Sequence, residues 1–300
     1  MFDLAPFSSG GRFFRGNLHT HCTRSDGALP VDEVIERYRD AGYDFLSITD
    51  HFMERYGYPI TDTRSFRSPG FTTILGAELH APALENGERW HILANGLPLD
   101  FDSLRHGETG PDIAARAVEA GAFLSLAHPA WYGLSLDDAL SIPLAHAVEV
   151  YNHGCAVETD RGDGWYILDR LAADRHRHSA IATDDAHFKT PDAFGGWVQV
   201  KAERLEPEAL VEALKAGRFY ASQGPEIVDV MIDDETIEVI SSPTRSVAAL
   251  GQGSASAYQV GDGLTRTRLP RERLLKSAYL RVVVTDHFGR RAWTNPTFEV

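Results

Sequence analysis

Histidine and carboxylate side chains occur at short, regular spacings in the first part of the chain. His19 and His21 lie two positions apart, and Asp26 follows in the turn-like Ser25-Asp26-Gly27. Alternate residues of a strand point to the same face of a sheet, so both imidazoles should face the same way. A turn after His21 can return the Asp26 carboxylate to the end of that strand. This arrangement is typical of a site that binds a divalent cation.

The same two residue types recur further along the chain, mostly at the end of a short apolar segment. They lie in Thr49-Asp50-His51, Gly76-Ala77-Glu78, Ala127-His128-Pro129 and Thr183-Asp184-Asp185-Ala186-His187, and at His91. Any one of these histidines alone would favour an ordinary structural role, so the prediction depends on the whole ordered set. Imidazole nitrogen with carboxylate oxygen suits Zn²⁺, Mn²⁺ or Fe²⁺, and the presence of only two cysteines argues against a structural zinc site.

Strands and helices must position these side chains, and the hydrophobic pattern predicts both. Short apolar segments predict strands at 43–49, 72–79, 90–95, 122–127, 147–151 and 180–183, after a first strand that begins at residue 13. Helical spacing of apolar residues predicts helices at 30–41, 112–120, 165–175 and 206–216. This alternation predicts a mostly parallel α/β sheet, either open or closed into a barrel. In such folds the loops after the strands carry the site, and most of the candidate ligands lie there.

The pattern changes after residue 224. Short β-branched segments, separated by polar or glycine-rich turns, predict strands at 227–232, 236–240, 246–250 and 280–285. Only 270–276 has helical character in this part of the chain. We therefore predict two domains, residues 1–224 and residues 225–300, of which the second is a small antiparallel β domain.

Composition and charge exclude several classes of protein. The chain of 300 residues is 43% apolar and 24% charged, as in ordinary globular proteins. Its apolar runs fall far short of the ~20 residues that a membrane span needs, so we expect no membrane association. A net charge of −14 disfavours polyphosphates, so we expect no nucleic acid polymer as a partner. Residues 1–11 lack the features of a signal peptide, and the few cysteines fit a reducing compartment, which together predict a cytoplasmic protein.

In order along the chain, the motifs are His-x-His-x-x-x-x-Asp-Gly, Thr-Asp-His, Gly-x-Glu, a strand histidine, Ala-His-Pro and Asp-x-His. This ordered set resembles the PHP (polymerase and histidinol phosphatase) superfamily over residues 13–224. The resemblance implies a distorted (β/α)7 barrel of the PHP type that holds two to three divalent ions (Zn, Mn or Fe). Within the superfamily, segments 148–152 and 195–197 and the trailing β segment are most similar to the branch of carbaryl-type carbamate hydrolases.

Carried over position by position, the resemblance implies three ligand groups that share one glutamate. The first is His19, His21, Glu78 and Asp185, the second is Glu78, His91 and His128, and the third is Asp26, His51 and His187. All nine ligand types are present, which favours three ions over two. The Asp-x-His spacing selects Asp185, so we expect the neighbouring Asp184 to hydrogen-bond a ligating imidazole.

The implied activity is that of a metal-dependent phosphoesterase acting on a small phosphorylated substrate. Two ions about 3.5–4 Å apart lower the pKa of a shared water toward ~7, so that a metal-bridging hydroxide attacks phosphorus. Glu78, Asp185 and His187 are the residues that we assign to catalysis, and His153 is a further candidate proton donor. Three divalent ions among three ligating carboxylates leave the pocket positive, which predicts a small anionic substrate.

Two alternative functions stay open at this point. The same hydroxide could attack carbon, which would make the protein a carbamate, amide or ester hydrolase. The chain could also be a non-catalytic module stabilised by its metals, as in some polymerase-associated PHP domains. The sequence predicts neither the natural substrate nor the oligomeric state.

Several residues near the motifs have more than one interpretation. Arg24, Arg161 and Lys189 are candidates to hold a substrate anion, although each is typical of a solvated loop. The segment 55–70 either covers part of the site or is a surface loop. The histidines outside the motifs, His80 among them, are expected to be surface or packing residues.

Overall fold

Fifteen strands in one sheet and eight α-helices lie within residues 4–299, the part of the chain that this computed structural model describes. The strands are β1 (Arg12–Asn17), β2 (Phe45–Ile48), β3 (His51–Phe52), β4 (Thr72–Leu79), β5 (Ile92–Asn95), β6 (Phe123–Leu126), β7 (Ala147–Asn152), β8 (Ser179–Thr183), β9 (Trp197–Ala202), β10 (Phe219–Ser222), β11 (Ile227–Ile232), β12 (Thr236–Leu250), β13 (Ser256–Pro270), β14 (Arg281–Thr285) and β15 (Arg291–Thr294). The helices are α1 (Ala5–Ser8), α2 (Val31–Asp40), α3 (Gly110–Glu119), α4 (Pro129–Tyr132), α5 (Leu136–Ser141), α6 (His153–Thr159), α7 (Trp165–Ala173) and α8 (Pro207–Lys215). The start of the 1–11 segment discussed above lies outside the described residues.

Helix α2 illustrates why these residues form these elements. Val34, Ile35 and Tyr38 recur on one face of the helix and are fully buried, as the predicted helix at 30–41 requires. The chain leaves the helix at Gly42, whose φ of 80° is a left-handed conformation that favours glycine. The helix packs this apolar face beside the start of the candidate site.

The central part of the sheet carries the site. Strands β1, β2 and β4 run parallel, β5 runs antiparallel between β4 and β6, and β6, β7 and β8 are again parallel. Strand β9 pairs antiparallel with β1 on the other side. β5 reverses direction because the connection from β4 contains no helix, and a parallel pair needs a long crossover, usually a helix. The strands predicted at 72–79 and 147–151 correspond to β4 and β7.

The predicted (β/α)7 barrel is not confirmed in its exact form. Within residues 4–299 the path of paired strands ends at β8, and no ladder joins β8 to β1. Thr20 and Ala186, just beyond those two strands, form an isolated parallel bridge. Backbone hydrogen bonds of 2.9 Å run from Asp185 N to His19 O and from His21 N to Ala186 O. The fold is therefore mixed α/β with a large open sheet, in which β8 and β1 approach each other only through the residues that follow them.

One hydrophobic cluster includes residues from strands along almost the whole central path. Phe14 of β1, Ile74 of β4, Phe123 of β6 and Ile181 of β8 pack in the same buried cluster as Phe219 of β10. Strands so far apart along a flat sheet could not share a core, so the sheet is strongly curved. This curvature brings the carboxyl ends of β1 and β8 together.

The C-terminal strands have a hydrophobic cluster of their own. Ile227 of β11, Val239 of β12 and Val282 of β14 are buried in it. The two strands predicted at 236–240 and 246–250 are one strand, β12, because the irregularity between them is a shift in pairing register with β13 and not a turn.

Strand β13 has no counterpart among the sequence predictions. Most of its side chains are exposed and many are polar, so it lacks the apolar alternation by which strands are found.

Strand β10 pairs with β15, which continues the sheet from the central strands to the C-terminal ones. The division at residue 224 stays a prediction. Among residues 4–299, no helix combines the length and apolar character that a membrane span requires.

Candidate metal centre

All nine predicted ligand side chains lie in one connected cluster. They are His19, His21, Asp26, His51, Glu78, His91, His128, Asp185 and His187. Each one has a nitrogen or oxygen within 3.3 Å of another member. They come from the loops after β1, β6 and β8, from β3 and β4, and from the residue before β5. The curved sheet therefore brings together residues that are far apart in the sequence.

The first predicted ligand group surrounds the Asp185 carboxylate. The Nε2 atoms of His19 and His21 lie 3.1 and 3.0 Å from Asp185 Oδ1. The same two nitrogens lie 3.7 and 3.6 Å from Glu78 Oε2. Four potential ligand atoms thus converge on one small volume, as the resemblance implied.

Glu78 connects the first group to the second. Its Oε1 atom lies 2.6 Å from His91 Nδ1 and 3.3 Å from His128 Nε2. Because Oε2 faces the first group and Oε1 faces the second, one carboxylate can serve both. Glu78 is fully buried at the end of β4, where strand pairing holds it opposite His51.

The third group is the most exposed of the three. Asp26 Oδ1 lies 3.3 Å from His51 Nε2 and 3.2 Å from His187 Nε2. About a third of the Asp26 side chain and 19% of the His187 side chain remain accessible to solvent. This opening gives small molecules access to the cluster from the third group.

The backbone at Asp185 is held in an unusual conformation. Its φ of 54° is left-handed, which most L-residues adopt only when their surroundings require it. The isolated bridge between Thr20 and Ala186 joins the residues that follow β1 to those that follow β8, and we call this junction the seam between β1 and β8. It fixes the backbone next to Asp185. The conformation turns the Asp185 side chain toward the two imidazoles that follow β1.

The donor set fits divalent cations. His19 Nε2, Glu78 Oε2 and Asp26 Oδ1 are buried, and each lies 2.6–3.2 Å from another candidate ligand atom without forming a well-directed hydrogen bond. Contacts of this poor geometry satisfy buried polar atoms only in part. All three atoms belong to predicted ligands, and their lone pairs converge. Cations bound by nitrogen and oxygen would satisfy all three.

Burial and the neighbouring imidazoles act in opposite directions on the carboxylates. Burial alone would raise the pKa of Asp26, Glu78 and Asp185. The surrounding histidines outweigh burial, so the pKa of each carboxyl lies below its usual range. All three groups are therefore ionised and available to a cation at neutral pH.

The imidazoles divide into two sets. Burial lowers the pKa of His21 and of His91 to about 3, and nearby imidazoles act in the same direction. Both rings are therefore neutral at physiological pH, which is the form that binds metals.

Three other imidazoles shift the opposite way. Burial would lower the pKa of His19 and His51, but carboxylates outweigh it, chiefly Asp185 beside His19 and Glu78 beside His51. The pKa of His51 rises to about 10, and that of His19 rises well above its usual value. The pKa of His187 also rises, because its carboxylate neighbours outweigh burial. His19 and His51 are therefore positively charged at neutral pH.

His80, which we expect from the sequence to be a surface or packing residue, is buried beside the third ligand group. It is 2% exposed, and its Nε2 lies 2.9 Å from His51 Nδ1 and 3.5 Å from Glu78 Oε2. The sequence contained a signal for it: Glu78 and His80 are two positions apart at the end of β4, the same spacing that linked His19 to His21.

Glu149 was missed as a part of the site. It is fully buried on β7, and its carboxylate lies 3.0 Å from His19 Nδ1. The sequence shows it only as a single acidic residue inside an apolar strand, between Val148 and Val150. A buried acidic residue needs partners, so its position inside a strand was the available signal.

Asp184 does not hydrogen-bond an imidazole, contrary to expectation. Its carboxylate accepts hydrogen bonds from Tyr38 Oη at 2.7 Å and from the backbone N of Phe194, Gly195 and Gly196 at 2.8–2.9 Å. Burial raises its pKa to about 6. Asp184 therefore holds the 194–196 loop in place beside the site.

A cavity of about 660 Å³ opens onto the cluster. Residues of all three ligand groups line it, together with Arg55, Arg89, Lys189, Met53 and Trp131. Lys189 Nζ lies 3.3 Å from Asp26 Oδ2, whereas Arg55 and Arg89 form no ion pair within residues 4–299. The cavity thus combines the candidate ligands with unpaired cations and an apolar wall.

The cavity lining bears on several open interpretations. Arg55, the first residue of the segment 55–70, lines the cavity, whereas residues 56–70 do not. Lys189 lines the cavity, while Arg24 and Arg161 do not. His153, the further candidate proton donor, does not line the cavity, and its Nδ1 lies 2.9 Å from Tyr151 Oη.

Comparison with known proteins bears on the family. No protein-family model matches the chain. The chain is similar to a solved two-domain protein from Bacteroides vulgatus ATCC 8482, described as containing a predicted PHP-like metal-dependent phosphoesterase. The alignment covers 95% of this chain and 94% of that chain, with 18% sequence identity and a TM-score of 0.56. This chain has a PHP-like fold. The resemblance predicted from the motifs is thus confirmed at the level of the fold.

Two further similarities are more limited. A protein from Bifidobacterium adolescentis ATCC 15703, provisionally described as a metal-dependent phosphoesterase, matches with 15% identity and a TM-score of 0.47 over 67% of this chain and 95% of that one. We infer nothing from so low a score. The DNA polymerase/3'-5' exonuclease PolX of Bacillus subtilis (strain 168) is 33% identical over 89 residues, which are 29% of this chain and 15% of that protein. The placement in the carbaryl-hydrolase branch stays a prediction.

Proposed function

We propose that this PHP-like protein is a metal-dependent phosphoesterase that hydrolyses a small phosphorylated substrate. The observation that carries the proposal is the cluster of nine imidazoles and carboxylates, which shares Glu78 and opens into a cavity with unpaired arginines. A purely structural cluster would not need to open onto such a cavity.

The proposed ligands are the three groups described above, and they hold two to three ions of Zn, Mn or Fe. Divalent ions, when bound, lower the pKa of water toward ~7 and neutralise developing negative charge. Glu78 holds the first two groups in a fixed relation through its two oxygens. Asp185 and His187 line the cavity and face the substrate. We assign these three residues to the reaction.

The cavity cations support an anionic substrate. Arg55 and Arg89 can donate paired hydrogen bonds to a phosphate, the kind of contact for which the guanidinium group is suited. Lys189 adds a third positive charge at the edge next to Asp26. We propose that these side chains orient the substrate so that its phosphoryl group meets the ligand cluster.

A carbamate, amide or ester hydrolase is the second candidate. The observation in its favour is the apolar wall of Met53 and Trp131, which suits an uncharged organic group. The same residues would then position a carbonyl in place of a phosphoryl group.

The test compares two substrates on manganese-loaded protein. p-Nitrophenyl phosphate and p-nitrophenyl acetate are assayed with the wild type, with Asp185→Ala and with Asp102→Ala, an exposed carboxylate outside the cavity as the matched control. Faster phosphate turnover that only Asp185→Ala abolishes is the expected result. Faster acetate turnover with the same dependence would move the chemistry to carbon. A protein that binds its metals but turns over neither substrate would support the non-catalytic alternative and overturn the proposal.

A further inference from the structure

The buried carboxylate of Glu149 is surrounded by hydrogen-bond donors. Its Oε1 accepts from the Thr183 hydroxyl and lies 3.0 Å from His19 Nδ1. Its Oε2 accepts from the backbone N of His128 at 2.6 Å and from Asn152 Nδ2 at 2.9 Å. No surface of this carboxylate reaches solvent.

A carboxylate that only accepts hydrogen bonds dictates where its imidazole neighbour carries a proton. Because Glu149 cannot donate, the His19 Nδ1 atom must be protonated to form the contact. A neutral His19 ring then has its lone pair on Nε2, the atom that faces Asp185 at 3.1 Å. We infer that Glu149 is a positioning residue: it fixes the His19 tautomer and thereby sets the affinity of the metal centre. The inference rests on the metal-binding part of the proposed function.

The orientation of Asn152 strengthens this inference. Its Oδ1 accepts a hydrogen bond from Cys155 N at 2.8 Å at the start of α6, so its amide cannot flip without losing that contact. Its Nδ2 therefore points to Glu149 Oε2 at 2.9 Å and to Asp185 Oδ2 at 3.1 Å. Glu149 is thus tied both to the His19 ring and, through Asn152, to a second proposed ligand.

The substitution Glu149→Gln keeps the shape of the side chain, removes its negative charge and replaces one accepting oxygen by a donating NH₂ group. The backbone N–H of His128 and the Asn152 amide are fixed donors, so the Gln oxygen must face them. The Gln NH₂ group then faces Thr183 and His19. The Thr183 hydroxyl can rotate and accept a hydrogen bond from this group. The His19 ring can accept one only if Nδ1 is unprotonated, so its proton must lie on Nε2. That proton occupies the position from which the ring would bind a metal ion.

The matched control is Asp184→Asn. Asp184 is also a fully buried carboxylate that accepts several hydrogen bonds, yet none of them comes from an imidazole. Both variants lose one buried charge, keep the side-chain shape and place an NH₂ group opposite a former donor. At Asp184 that donor is a backbone N–H of the 194–196 loop and not a ligand. Only Glu149→Gln should alter the tautomer of a ligand.

The experiment measures zinc affinity by competition with a chelator, using the full-length chain. We expect Glu149→Gln to weaken zinc binding by about 10–100-fold, the usual effect of losing a hydrogen-bond partner of a ligand. Asp184→Asn should change it by much less. Equal zinc affinity in the wild type and Glu149→Gln, or an equal loss in both variants, would overturn the inference.

A second measurement does not depend on how the variants fold. In zinc-saturated wild-type protein, ¹⁵N NMR of the histidine rings should show a slowly exchanging Nδ1–H on His19 and no proton on its Nε2. A proton on Nε2 instead would refute the tautomer assignment. Both readouts are independent of turnover, so failure of the phosphatase assay and failure of this inference can be told apart.

Discussion

Metal binding should release protons, and the pKa shifts of the candidate ligand imidazoles indicate how many. At neutral pH, His19 and His51 are protonated in the metal-free protein, because neighbouring carboxylates raise their pKa values despite burial. The pKa of His187 shifts in the same direction. A ring that binds a metal ion must give up the proton on its ligating nitrogen.

The expected number follows from these rings. His21 and His91 have pKa values of about 3 and contribute nothing at pH 7, since they are already neutral. Filling the centre should therefore release about two to three protons per chain. Each proton makes binding about 1.4 kcal/mol less favourable for every pH unit that the solution is lowered. Total metal binding should thus weaken by about 3–4 kcal/mol between pH 7 and pH 6.

Isothermal titration calorimetry can count these protons. Zinc is titrated into metal-free protein at pH 7 in buffers with different ionisation enthalpies, and the slope of heat against ionisation enthalpy gives the number released. His51→Gln should lower the count by about one, because the ring whose pKa is about 10 is gone. His106→Gln, an exposed histidine outside the cluster, should leave the count unchanged. Heats that do not depend on the buffer would refute the reasoning, since the imidazoles would then already be neutral.

Three further results are expected. In protein prepared without metal, protonated His51 contributes stability that is fully present below its unfolded pKa of 6.5 and is lost as pH rises toward about 10. The melting temperature should therefore fall across that pH range. A melting temperature that does not change with pH would contradict the pKa assignment. Arg281→Ala should lower the free energy of unfolding in urea by about 1–3 kcal/mol, because it removes the paired hydrogen bonds of 2.9 and 2.8 Å to Asp169 that join β14 to α7. An unchanged urea midpoint would show that this contact contributes little to stability. Gly16→Ala should lower the free energy of unfolding by about 1–3 kcal/mol in the same assay, because a Cβ at this position would lie 2.1 Å from the Phe45 ring. If the variant is as stable as the wild type, the ring can move aside.

The elements with strong apolar periodicity were predictable from the sequence. Strand β4 and helix α2 follow directly from patterns that bury one face or both. Strand β13 was not predictable, because it pairs along its whole length with β12 while most of its side chains stay exposed. Its stability comes from backbone pairing and from its neighbour, neither of which leaves a periodic signal in its own residues.

The clustering of the candidate ligands was predictable for a different reason. Residues such as His19 and Asp185 belong to short motifs with fixed spacing, and strand ends place such motifs at a common edge. Glu149 and Asp184 lie within such segments but are not ligand positions of the motifs, and their hydrogen bonds depend on which donors the fold brings to them. Glu149 contacts an imidazole and Asp184 does not, and the spacing of residues in the sequence does not predict this difference.

The seam between β1 and β8 has a consequence for the order of events during synthesis. The contact between His21 and Asp185 spans 164 positions, and within residues 4–299 no strand ladder joins β1 to β8. Contacts between such distant residues form late, since the chain between them must be ordered first. A ribosome-bound chain that has not yet exposed His187 therefore lacks ligands for the first and third groups. If the proposed ligand groups are correct, the first and third groups can bind metal only after His187 has been synthesised, and a bound ion would then connect the segments that follow β1 and β8.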